Sequence, residues 1–276
     1  MSAAAAIAAG AAACLLARPA PAPPASIALK PSVVPSAAAA VSTWLGGASG
    51  VVAFGEVHQD TSTTGTRPAL ARFTDEILPA LAPRASHLIV ETWITTGACG
   101  QAETQVTEDI ARTTERPKET ESEIVRLLRR AKELRVAPHV LAMDCASYEA
   151  MQSQGGVDYD RVLALTKDHL ETAIRQALAL PRPPERPLVL VYGGALHNDL
   201  SPARALAAYS FGPAVFAATR GDYREVDLYV PELVERTPAL RKEAWYRAWR
   251  AFAHPADVVV LPRSARSLIV VYPRGR

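Results

Sequence analysis

Two short motifs in this chain have the residue types and spacing for chemistry. Gly55-Glu56-Val57-His58 and Gly194-Ala195-Leu196-His197 each set a histidine three residues after a glycine. With 15 Gly and 6 His in 276 residues, chance supplies about 0.3 such pairs, so one would mean little and two at the ends of apolar runs mean more. Carboxylates end two other apolar runs, Glu91 after Leu88-Ile89-Val90 and Asp144 after Val140-Leu141-Ala142-Met143. Two imidazoles with a carboxylate suit a divalent transition metal such as Mn, Co, Zn or Fe, with positions left open for water and substrate. Such a metal would lower the pKa of its water and make a nucleophile near neutral pH. The same groups also work without one: a histidine takes a proton from water while a glutamate orients it or serves as acid. The expected catalytic set is therefore His58, His197, Glu91 and Glu56, with His58, His197 and Glu91 as the metal-ligand set. For Asp144 the competing role is to cap the turn that follows it.

These side chains are far apart in sequence, so a fold must gather them. In an open parallel sheet the C-terminal ends of the strands share one edge, where ligands bind. Strands are expected at 51–54, 87–91, 139–144 and 188–192, each an apolar run ending at one of these groups. Helical spacing is expected over 35–45, 68–81, 119–134, 159–180, 201–208 and 240–252. Segments 214–218 and 226–230 read as strands, and 258–261 with 268–272 as a closing hairpin. The fold class is α/β: a mostly parallel central sheet flanked by helices, with the C-terminal hairpin at a mixed edge. Residues 93–116 show no clean period and read as an irregular lid over the strand ends.

Length and composition bound the rest. The chain is long enough for one large domain with a full core, assigned to residues 27–276. A formal net charge of +2 gives no electrostatic reason to expect nucleic acid. The expected partner is a small-molecule or peptide substrate. Cys14, Cys99 and Cys145 make no disulfide framework by count or spacing, and Cys145 reads as a buried, inert thiol. Residues 1–26 are rich in Ala and Pro and read as a disordered tail or a signal-like segment. Ala11-Ala12-Ala13-Cys14 is a weak match to a bacterial lipobox, so membrane association through a lipid anchor on Cys14 is an expectation. Export to the periplasm or a lipid-anchored state is favoured over the cytoplasm.

The pattern of Gly55-Glu56-Val57-His58, Ile89-Val90-Glu91 and Gly194-Ala195-Leu196-His197 resembles the superfamily of erythromycin esterases, Tiki and TraB proteins, and ChaN-like haem-binding lipoproteins. The resemblance spans about residues 51–198, and the closing hairpin, with Pro255 and Asp257, is similar to ChaN-type domains. It implies a metal-dependent peptidase in the Tiki branch, histidine-dependent ester hydrolysis in the esterase branch, and haem binding for iron uptake in the ChaN branch. An inactive exported scaffold is a further alternative. By this resemblance His58 and His197 match the motif histidines, Glu91 the strand-end glutamate, and Glu56 the glutamate inside the first motif. Lys167 stands on the long helix where the pattern has Arg. Arg220, Asn198 and Asp144 complete the residues expected to contact a cofactor or substrate.

Overall fold

The computed structural model describes residues 28–252 and 256–275. The signal-like segment, Cys14, His254 and Pro255 lie outside them. The sheet strands are β1 (Ser32–Val34), β2 (Gly50–Glu56), β3 (Ala85–Thr96), β4 (Ala137–Asp144), β5 (Leu188–Gly194), β6 (Tyr223–Tyr229), β7 (Val258–Ser264) and β8 (Ser267–Val271). Their order across the sheet is β1-β7-β8-β6-β2-β5-β3-β4. From β8 to β4 every neighbouring pair is parallel, while β7 runs antiparallel to both β8 and β1. The α/β class and the mixed edge made by the C-terminal hairpin are therefore as expected.

The two innermost motif-bearing strands show why. Every residue of β5 is buried, as is every residue of β2 after Gly50. Runs that are apolar on both faces belong in the middle of a parallel sheet covered on both sides. One face packs Val52, Phe54, Leu190 and Leu228 against α1 (Ala37–Leu45), the segment 69–81, and a helix over Glu119–Glu133. The other packs Val51, Ala53, Val189 and Val191 against the long helix Tyr159–Ala179 and the short helix Gly212–Ala218. In Tyr159–Ala179 the buried residues Val162, Thr166, Leu170, Ile174 and Ala177 recur at helical spacing, and Asp158 caps its N-terminus by accepting from the Arg161 amide. After α1 the α-helices longer than one turn are, in chain order, α2 (Gly100–Thr114), α3 (Glu119–Glu133), α4 (Cys145–Met151), α5 (Tyr159–Ala179), α6 (Gly212–Ala218) and α7 (Ala244–Phe252) among the described residues.

Four expectations are corrected. Residues 93–116 are not irregular: β3 continues to Thr96 and α2 follows. Residues 214–218 are helical, in α6, where Pro213 sits in the first turn and fixes φ for a helix. A short apolar run cannot by itself separate strand from helix. The helix expected at 201–208 is a 3₁₀ segment at Arg204–Tyr209. Finally, Cys99 and Cys145 form a disulfide, with Cα atoms 4.9 Å apart. Residues 99 and 145 follow the neighbouring strands β3 and β4, which sequence spacing alone does not reveal.

Candidate active site

Three adjacent strands, β2, β5 and β3, bring the motif residues to one edge. Glu56 is the last residue of β2 and pairs with Gly194 at the end of β5. His58 follows two residues later. His197 lies in a single helical turn, Ala195–Asn198, immediately after β5. Glu91 owes its position to a bulge. Between β3 and β4 the register steps from Val90↔Val140 to Trp93↔Leu141, so Glu91 and Thr92 have no partners on β4. A bulge of this kind bends the strand and re-aims a side chain.

The result is convergence. Glu91 Oε1 lies 3.7 Å from His58 Nε2 and 3.8 Å from His197 Nε2. The two imidazole nitrogens can be no farther apart than the sum of those distances. Each ring is oriented through its other nitrogen. His197 Nδ1 is 2.7 Å from the Tyr209 carbonyl oxygen, which only accepts, so Nδ1 carries a proton and, in the tautomer without a second one, Nε2 is bare. His58 Nδ1 is 2.9 Å from Glu56 Oε1, and donation to that carboxylate leaves its Nε2 bare as well. Tyr192 donates to Glu56 Oε2 at 2.5 Å. Burial first, and then the Glu56 charge, hold the Tyr192 phenol well above its usual range, so it stays a donor.

Two glycines make room for this packing. A Cβ at Gly193 would lie 2.3 Å from Glu91 Oε2, and one at Gly194 would lie 3.0 Å from His58 Nε2. The Gly194 amide donates to Glu91 Oε2 at 2.6 Å. Burial pushes the Glu91 carboxyl up, but His197 and then His58 outweigh it and hold the group well below the usual carboxylate range. Glu91 is therefore ionised. For His58, burial and next the Arg116 charge push the imidazole down, while Glu56 and Glu91 push it up, and the net position is above the ordinary value.

The other expected contacts do not join this cluster. Asp144 is exposed and caps α4, accepting from the Ser147 amide at 2.8 Å and the Ser147 hydroxyl at 2.7 Å. Asp144→Ala should lower the thermal midpoint slightly and leave any turnover unchanged; a large loss of turnover would return Asp144 to the site. Lys167 pairs with Asp168 and Glu171 along α5, away from the cleft. Arg220 is exposed at the N-terminal end of β6, the opposite edge of the sheet. Asn198 is buried beneath the cleft floor, where its amide donates to Asp227 Oδ1 at 3.2 Å and its side chain fills the space left by the missing Cβ of Gly55.

The motif groups open into a cleft of about 1390 Å³ whose walls include Trp93, Ile110, Tyr148, Trp245, Arg116 and Arg263. Several of its features were not expected from the sequence. Arg116 is half-buried and makes no hydrogen bond or ion pair among the described residues, yet its charge reaches both His58 and Glu91. On the far side, Glu225 and Asp227 are buried on β6, and Arg263 from β7 pairs with both, at 2.7 Å to Asp227 Oδ2. The alternation Glu225-Val226-Asp227-Leu228 was the available signal: charges interleaved in a run that reads as a strand. Their cation lies on another strand, out of reach of any local pattern. Among the described residues no group of three or more His, Cys, Asp or Glu side chains is drawn close enough to hold a metal ion as it stands.

No family model matches the chain, and no curated protein matches it. A solved structure titled "Crystal structure of bacterial protein toxins" aligns over 68% of this chain and 35% of its own, at 14% identity and a TM-score of 0.34. The chain thus spans about a third of that structure's length, and a likeness of this size carries no argument about function.

Proposed function

We propose that this protein is a hydrolase of small-molecule ester or peptide substrates, with His58 as general base. The observation that supports this is the approach of two imidazole Nε2 atoms, each freed by a fixed Nδ1 partner, to one ionised carboxylate oxygen at 3.7 and 3.8 Å. A bare Nε2 at the mouth of a cleft can take a proton from water. Glu56, bonded to Nδ1, and Glu91 then stabilise the imidazolium that results. Such a positioned base contributes typically 10²–10⁴-fold. His197 is held in a fixed orientation opposite His58. Arg116 can offset negative charge that develops on the substrate. The motif resemblance to the erythromycin esterase, Tiki, TraB and ChaN-like superfamily agrees with this reading. The Cys99–Cys145 bond agrees with an exported setting, since such bonds persist in oxidising compartments.

A metal-dependent version of the same reading is favoured by the donor set. Two imidazoles and a carboxylate, each ring with an outer partner on its other nitrogen, are the groups that hold Mn, Co, Zn or Fe. Two donors on one tetrahedral zinc, with bonds of about 2.0–2.1 Å, stand about 3.3 Å apart. The two separations from Glu91 Oε1 to the imidazoles, 3.7 and 3.8 Å, are a little wider. The ion would supply a water of lowered pKa.

The test is turnover of chromogenic ester and peptide panels by the full chain, before and after chelation, with Glu56→Gln alongside the wild type. The base must be unprotonated to act, so wild-type activity should rise with pH through the elevated His58 pKa. Glu56→Gln removes an upward push on that pKa. Its acid limb should therefore move to lower pH, while its plateau falls at least tenfold because the imidazolium loses its carboxylate. A pH profile and plateau unchanged by Glu56→Gln would rule out His58 as the base. A shift of the Soret band on adding hemin, with no turnover of any panel member, would favour the haem-binding alternative.

A further inference from the structure

We infer that the Cys99–Cys145 disulfide is a redox-sensitive strap that holds α2 as the outer wall of the cleft. This concerns access to the cleft and holds whatever chemistry the cleft performs. Glu103, Thr107, Ile110, Ala111 and Thr114 of α2 line the cleft. They fall four, seven, eight and eleven positions after Glu103, which puts them on one face of the helix. Val106 and Asp109 are its buried residues, and its hydrogen bonds to the body run through Glu103 to Thr95, Gln105 to Gln152, and the Asp109 and Glu115 carbonyls, which accept from the Tyr159 hydroxyl and the Thr61 amide. Val106 packs into a small satellite cluster with Tyr148, Met151 and Val162, separate from the cores that cover the sheet.

The strap sits at the N-terminal end of α2. Cys99 lies between Gly97 and Gly100, whose φ angles are +110° and +59°. Both values belong to the region that glycine enters without penalty and other residues rarely enter. The connection from β3 to α2 is therefore two permissive joints with a crosslink between them. The other cysteine opens α4, the helix that Val106 packs upon. The bond thus closes the joint at one end of the wall. At the other end, Arg116 comes two residues after α2 and lines the same cleft as His58 and Glu91. Holding α2 also holds Arg116.

A dithiol reductant opens the strap by ordinary exchange. A thiolate of the reductant attacks one sulfur, the Cys99–Cys145 bond breaks, and a mixed disulfide forms. The second thiol of the reductant closes on it and leaves as a cyclic disulfide. Two electrons and two protons pass to Cys99 and Cys145, which become free thiols. The helix then remains attached through its packing on α4 and its glycine joints.

The experiment uses the full chain in three states: oxidised, reduced with dithiothreitol, and reoxidised after removal of the reductant. A Cys99→Ser, Cys145→Ser double variant is the fourth sample. Hydrogen exchange is followed by mass spectrometry, together with the rate at which diethylpyrocarbonate modifies His58 and His139. Reduction should speed amide exchange across 100–116 at least tenfold. It should speed modification of His58 several-fold and leave His139, at the other end of β4, unchanged. Reoxidation should restore both rates, and the double variant should match the reduced protein. Unchanged exchange in 100–116 with an unchanged His58 rate would overturn the inference, making the bond a passive staple. So would a loss of protection that spread to β5 and β2, since the bond would then support the whole fold.

Discussion

His58→Ala is expected to reduce turnover by about 10²–10⁴-fold, the usual contribution of a positioned proton acceptor, and to leave the fold intact. Its side chain is 32% exposed and belongs to none of the hydrophobic clusters, so its removal opens no core cavity. Removing it also strips Glu56 of a partner, but Tyr192 still donates to that carboxylate. Far-UV circular dichroism and the thermal midpoint should stay close to wild type. His197→Ala should differ in an informative way. That ring is buried and donates to the Tyr209 carbonyl, so its loss leaves a half-buried acceptor unmet, at about 1 kcal/mol. A falling thermal midpoint alongside falling turnover is thus expected for His197→Ala. Full turnover by His58→Ala on the best substrate of the panels would mean that the convergence on Glu91 is structural.

Gly193→Ala should have the second large effect, acting through Glu91. An added Cβ would stand 2.3 Å from Glu91 Oε2 and 2.8 Å from Glu91 Cβ, inside the distance any two such atoms tolerate. Gly193 is in the middle of the sheet, hydrogen-bonded in β5 and opposite Gly55 of β2, so the backbone has little freedom to yield. Glu91 must swing away, and its bond from the Gly194 amide goes with it. Overpacking of this kind costs about 1–3 kcal/mol. Turnover should fall as far as in Glu91→Ala. Gly65→Ala serves as the control, because nothing lies within 4 Å of a Cβ there. Equal turnover and equal thermal midpoints for the two alanine variants would show that Glu91 needs no room at Gly193.

The parts of this fold that could be read from sequence are those where burial writes a continuous pattern. β2 and β5 are buried nearly throughout, so their apolar runs and glycine ends stood out, and with them the meeting of His58, His197 and Glu91. The helix α2 did not stand out because its apolar stripe is thin: Ala102, Val106 and Ile110 meet a small satellite cluster, while Glu103, Thr107, Ala111 and Thr114 face a cleft rather than a core. The disulfide was hidden because 46 positions separate its cysteines, and only the pairing of β3 with β4 joins them. Asp144 misled for a chemical reason: a carboxylate that caps a helix and one that serves a site occupy the same place after a strand. The ion cluster of Glu225, Asp227 and Arg263 required knowing that β6 and the C-terminal hairpin are neighbours.

The bulge at Glu91 and Thr92 has a mechanical meaning. As far as Val90, β3 is held between β5 and β4, but its pairing with β5 ends at Val90↔Tyr192. From Trp93 to Thr96 it has β4 alone. Beyond Glu91, then, the sheet narrows to a two-stranded ribbon, and α2 hangs from its tip. A ribbon flexes far more readily than a central strand, and its fulcrum is the residue pair where the register breaks. Glu91 stands at that fulcrum. The carboxylate on which both imidazoles converge therefore sits where the ribbon that carries the cleft wall joins the body of the sheet.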